Sequence, residues 1–154
     1  MASRFADMLD RKAEDIKAPP AVPLGHYLFQ VKKHPDKEEI KAQSGIVYDR
    51  LRFQAVIVSA QEVDEDDLEA FGKVQGIPMR VDFWFNTEDD NKFEGSMDRL
   101  KRFLVALGIF EDGIDLSEAL AASPGAQFLG EVTHTPDPKD SERIYSEISR
   151  TYAV

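Results

Sequence analysis

From residue 25 the chain alternates apolar and polar positions, with Tyr27, Phe29 and Val31 on one side and His26, Gln30 and Lys32 on the other; Leu28 is the exception. A period of two is the mark of a half-buried strand. The polar stretch "HPDKEEIKAQSG" (34–45) interrupts the alternation and reads as a loop. A longer alternation follows in "YDRLRFQAVIVSA" (48–60), where Leu51, Phe53, Ala55 and Ile57 oppose Arg50, Arg52, Gln54 and Val56. Its second half, "AVIVSA", is apolar in both phases and is expected to be covered on both faces. In the third run, "IPMRVDFWF" (77–85), Met79, Val81, Phe83 and Phe85 share one face and Arg80, Asp82 and Trp84 the other. Two of its three aromatic rings are therefore in phase with a core, while Trp84 is in phase with charge.

The period then changes. Phe93, Met97, Leu100, Leu104 and Leu107 recur at helical spacing and stop at Gly108, which predicts a helix. "DLSEALAAS" (115–123) predicts a second, shorter one. Two strands close the chain, "AQFLGEVTHT" (126–135) and "IYSEISRTY" (144–152), joined by the loop "PDPKDSER" (136–143). Before the first strand, Phe5, Met8, Leu9 and Ile16 predict an amphipathic helix over 3–17, ended by the stiff connector "APPAVP" (18–23).

The resulting division is an N-terminal helical arm with its proline-rich connector (1–23) and one β-rich domain (24–154). Three strands, a helix and two closing strands form the element order of the OB-fold, a five-stranded, partly open Greek-key barrel. The expected fold is thus mostly β with helices: a five-stranded OB-fold-like barrel with a helix between its third and fourth strands. Such barrels bind on the face of strands two and three, flanked by the loops joining strands one to two and four to five. On that face the alternation puts Arg50, Arg52, Arg80 and Trp84, with Tyr145 in the same phase on the last strand. Lys32 and Lys33 end the first strand, Lys37 and Lys41 lie in the first flanking loop, and Lys139 and Arg143 in the second. Bases and exposed aromatic rings are what a single strand needs, for phosphate contact and for base stacking. The competing reading of the same residues is a Trp84 covered by a helix or loop, and arginines on a solvated face or one salt-bridged to Asp49 and Asp82.

Charge changes this picture only in part. A formal net charge of -10 opposes phosphate binding in bulk, but residues 61–72, "QEVDEDDLEAFG", hold six acids and no base. The acidity is concentrated there, as a solvated loop or helix face. The absence of cysteine excludes disulfides and thiolate metal sites and fits a reducing compartment, so a cytoplasmic location is expected. No apolar run reaches membrane-spanning length, and the N-terminus lacks the apolar stretch of a secretory signal.

Enzymatic motifs are missing: no G-x-S-x-G, no Walker loop, no Rossmann glycine pattern. His26, His34 and His134 are scattered, and Asp64 to Asp67 lack the glycine and closing glutamate of a calcium loop. Asp49 and Asp82 are the only carboxylates on adjacent strands that a nuclease metal could share. A protein without catalysis, cofactor or metal is expected.

The runs "GHYLFQVKK", "YDRLRFQAVIV", "VDFWF", "MDRLKRFLVALGI" and "GAQFLGEVTHT... RIYSEISRTY" together resemble the OB-fold single-stranded DNA-binding proteins of bacteriophages, over residues 24–153. The resemblance implies a protein that coats single strands with little sequence preference, in phage-type DNA replication or recombination, with replication or recombination proteins as partners and the host cytoplasm as its location. It makes Trp84, Arg80, Arg52 and Arg50 the implied contacts. Many such proteins end in an acidic tail, whereas this chain ends in "SRTYAV" and carries its acidity at 61–72. The alternative is an acidic OB-like adaptor or structural component that binds protein and no nucleic acid, with the arm as its docking element. The arm and the strand edges of an open barrel also make a homo-oligomer an expected state.

Overall fold

The computed structural model describes Leu9, residues 20–140 and residues 143–154. The helix expected over 3–17 therefore lies, apart from Leu9, outside the described residues. Six strands form one antiparallel sheet: β1 (Gly25–Val31), β2 (Asp36–Lys41), β3 (Val47–Val63), β4 (Pro78–Asn86), β5 (Gln127–Pro136) and β6 (Ile144–Tyr152). Within residues 20–140 they are accompanied by the helices α1 (Glu65–Phe71), α2 (Asp90–Ala106) and α3 (Leu116–Ala122).

The long strand β3 organises the sheet. β4 pairs with its residues 48–56, β2 with 47–52 and β1 with 55–63, so β1 and β2 share one edge of β3 and β4 takes the other. β5 then pairs with β1, and β6 with β5. The order β4-β3-β1-β5-β6 leaves β4 and β6 at the two ends, and they are not paired with one another. The sheet is not a closed barrel.

Six strands replace the expected five because β2 occupies the segment read as a loop. Its sequence, "DKEEIK", has no apolar alternation to reveal it. A tight turn at Ala42–Ile46, with Gly45 in the left-handed region, folds it back onto β3, whose backbone supplies the pairing. Side chains of opposite charge then meet across the ladder, Glu38 beside Arg50 and Asp36 beside Arg52.

The core lies between the sheet and α2. Tyr27, Phe29, Phe53, Ile57, Phe128 and Val132 are buried from the sheet, and Leu100, Phe103 and Leu104 from the helix. The Phe103 ring stands 4.9 Å from Phe53, 5.5 Å from Phe83 and 5.1 Å from Phe128. Gly130 on β5 leaves the room this packing requires, since a Cβ there would lie 2.7 Å from the Phe29 ring. The alternation of β1, β3 and β4 is met at the core positions, but Val56 and Val58, expected to be covered, are only half-buried.

Side-chain caps set the helix starts. Asp89 accepts from the Lys92 N–H, so α2 begins before the first of its apolar positions, Phe93. In the acidic segment Asp64 accepts from the Asp67 N–H, and Glu65, Asp66 and Asp67 fill the first turn of α1. Acids at that end interact favourably with the helix dipole, which gives the run a local structural reason. All six acids of 61–72 are exposed.

Tyr27 fastens the connector to the core, its hydroxyl donating to the Pro23 carbonyl at 2.7 Å. Burial first, and the charge of Asp67 second, push that hydroxyl from 10.0 up to about 12. The folded state then holds the proton more tightly than the unfolded chain. This contribution to stability is complete below pH about 10 and is lost as the pH rises through about 12. The urea midpoint is expected to fall across that window, and to fall less steeply in Tyr27→Phe. Equal slopes for the two proteins would remove Tyr27 as the cause.

Candidate functional site

The outward face of β2, β3 and β4 is a ladder of charge and aromatic rings. Arg50 stands opposite Glu38 on one side and Trp84 on the other; Arg52 stands opposite Asp36 and Asp82. Gln54 faces Arg80. The Arg52 guanidinium donates through Nε and Nη2 to both oxygens of Asp82, at 2.8 and 2.9 Å, a two-point contact that fixes its plane. That hydrogen-bonded carboxylate raises the Arg52 pKa against the opposing effect of burial, and the charges of Glu38 and Asp36 act in the same direction as Asp82. Arg80 Nε lies 3.7 Å from Asp82 and its side chain is 65% exposed, so of the three arginines on this face it is the most open to solvent.

Trp84 projects from this face with 42% of its surface exposed. Its backbone is held by α2, because the buried Ser96 hydroxyl donates to the Trp84 carbonyl at 2.7 Å. The Tyr48 ring meets the indole edge-on at a centroid distance of 6.2 Å, and the Arg50 guanidinium carbon lies 5.7 Å from the indole centroid. Arg50 is in turn held by Glu38, with Nη2 to Oε2 at 2.6 Å.

Beside this face runs an open groove of about 810 Å³ between β4 and β6. Among its lining residues Val22 is buried, and the half-buried ones mix apolar Met79, Val81 and Ile148 with the Arg52–Asp82 pair. Arg80 and Trp84 line it on the β4 side, Tyr145 and Glu147 on the β6 side, and all four are exposed. Tyr145 is 46% exposed, and its hydroxyl donates to Asp137 in the β5–β6 loop at 2.9 Å. The Lys139 N–H first, and the Tyr145 hydroxyl after it, hold the Asp137 carboxyl below the usual carboxylate range. The connector enters the same region: the Val22 N–H donates to Ser146 Oγ at 2.8 Å, and His134 Nε2 lies 2.6 Å from the Val22 carbonyl oxygen.

Of the residues singled out in the sequence, Arg52, Arg80, Trp84 and Tyr145 line the groove, and Arg50 adjoins it through Trp84. Six do not line it. Lys32 and Lys33 follow β1, with Lys33 Nζ 3.5 Å from Asp36. Lys37 and Lys41 sit on a strand and not in a loop, in the phase opposite to Asp36 and Glu38, and Lys37 is 3.9 Å from Asp49. Lys139 and Arg143 are exposed in the β5–β6 loop. The anticipated partner Asp82 takes Arg52 and Arg80, whereas Asp49 takes Lys37 and leaves Arg50 to Glu38. Tyr48 was missed although its phase matches Arg50 and Arg52; Asp36 and Glu38 could be found only once β2 was known as a strand.

Comparison with models of protein families and with curated proteins gives no match to this chain. Among the described residues no helix is long and apolar enough to cross a membrane.

Proposed function

We propose that this protein binds single-stranded DNA, largely without sequence preference, along the groove between β4 and β6. The observation that carries the reading is the exposure of two aromatic rings, Trp84 and Tyr145, on opposite sides of one groove that also holds Arg80. Unpaired bases stack on such rings, each contributing about 1–3 kcal/mol, and every base has a face to offer, so sequence matters little. Arg80 supplies a phosphate contact at the rim.

The strand order supports a partly open OB-fold. β1, β3, β4, β5 and β6 would be its five barrel strands, α2 the helix between the third and fourth, and β2 an elaboration of the first loop. On this assignment the groove lies beside the strand-two and strand-three face, where such barrels take oligonucleotides. A role in phage-type replication or recombination rests on the resemblance described above. A second reading, a protein-binding adaptor, draws on the facing edges of β4 and β6, which among the described residues pair with no further strand and so offer a place for an added one.

Fluorescence anisotropy of a labelled oligo-dT of about 30 nucleotides, titrated with the protein at low and high salt, tests the proposal. Saturable binding that weakens with salt and quenches the sole tryptophan is expected. Absence of binding at low salt would leave the adaptor as the better account.

A further inference from the structure

We infer that Asp36 and Glu38 on β2 are built-in competitors of phosphate, which lower the affinity of this face for any polyanion and leave binding dependent on base stacking. The inference rests on the single-strand reading of the groove and names what regulates its charge.

Three guanidinium groups and three carboxylates share the outward face of β2, β3 and β4. Arg50 is taken by Glu38, Arg52 by Asp82 with Asp36 opposite it, and Arg80 approaches Asp82. The Glu38 oxygen at 2.6 Å from Arg50 Nη2 occupies a position that a phosphate oxygen would take. Both β2 carboxylates are solvent-exposed, Glu38 at 61% and Asp36 at 54% of the side chain, so either can swing away when an anion arrives. A phosphate that reaches Arg50 must displace the exposed Glu38 carboxylate and take its place in the pair. One ion pair replaces another of the same kind, so the exchange yields little net gain. Stacking on Trp84 and Tyr145 carries no such offset. Duplex DNA and heparin offer anions without free base faces, and so meet only the muted part of the site.

The test compares wild type with the double variant Asp36→Asn/Glu38→Gln, and with a control of equal charge change, Glu111→Gln/Asp112→Asn, whose residues are exposed and outside the groove lining. Affinities are measured for heparin, for a duplex of about 30 base pairs and for oligo-dT of similar length. The β2 variant is expected to bind all three on the order of tenfold more tightly at low salt, with a steeper salt dependence, because the Arg50 guanidinium is freed for phosphate and the Asp36 charge opposite Arg52 is gone. The control is expected to change affinity far less. Equal effects of the two variants, or no gain in a β2 variant of unchanged circular dichroism, would overturn the inference. Adding Trp84→Ala separates it from the reading beneath it. If that change leaves oligo-dT affinity intact while the β2 variant still gains for heparin, stacking fails and the competing carboxylates stand.

Discussion

Alanine in place of Trp84 is expected to weaken oligo-dT binding roughly 5- to 150-fold, the equivalent of the 1–3 kcal/mol that one stacked base contributes. The indole is 42% exposed and belongs to the outer face, so little core packing goes with it. What the folded protein loses is the edge contact with Tyr48 and the Arg50 guanidinium over the ring. The cation contact at an exposed site contributes about 0.5–1 kcal/mol and the edge-on ring pair about 0.5–1.5 kcal/mol, and these two set the scale of the expected cost in stability. Trp84→Phe, which keeps a π face, is expected to retain most of the affinity. Anisotropy titrations read the binding and urea melts the stability. Unchanged affinity in Trp84→Ala would assign the ring a purely structural role.

Phe103→Ala is expected to have the opposite profile, costing about 3–5 kcal/mol of stability as buried aromatic truncations do. Its ring is buried where α2 meets the sheet, within 5.5 Å of the rings of Phe53, Phe83 and Phe128, which belong to β3, β4 and β5. Removing it leaves a cavity that three strands and a helix would have to close together. Against a typical total of about 5–15 kcal/mol, that is a large fraction. Urea unfolding at neutral pH measures it directly. Phe103 does not line the groove, so the fraction still folded should bind oligo-dT as wild type does. A loss below about 1 kcal/mol would mean that the aromatic cluster is not the centre of the core.

The outward turn of Trp84 was legible in the sequence, because period-two alternation separates it from inward Phe83 and Phe85; the central place of Phe103 was not, since the helical spacing picked out Phe93, Met97, Leu100, Leu104 and Leu107. The alternation also found β1, β3, β4 and β6, and grouped Arg50, Arg52 and Arg80 on one face. It could not find β2. Strand β2 is held by backbone pairing and cross-strand charge, and hydrophobic pattern is silent about both. The lysines of the presumed loops failed to reach the groove for a related reason. Once Lys37 and Lys41 belong to a strand, their phase turns them from Arg50 and Arg52. Tyr145 came to the groove because the strand order puts β6 opposite β4, a long-range fact that no local pattern carries. The acidic run, read only as a solvated face, proved to be a capped helix start at Asp64.

The central claim is that a single strand lies in the groove between β4 and β6. Amide chemical shifts of the isotopically labelled protein, followed during titration with a short oligo-dT, test it most directly. The account predicts shifts concentrated in residues 78–86 and 144–148, together with the Trp84 indole N–H. Shifts confined to the helices or to the β2 turn, or no shifts at all, would contradict it.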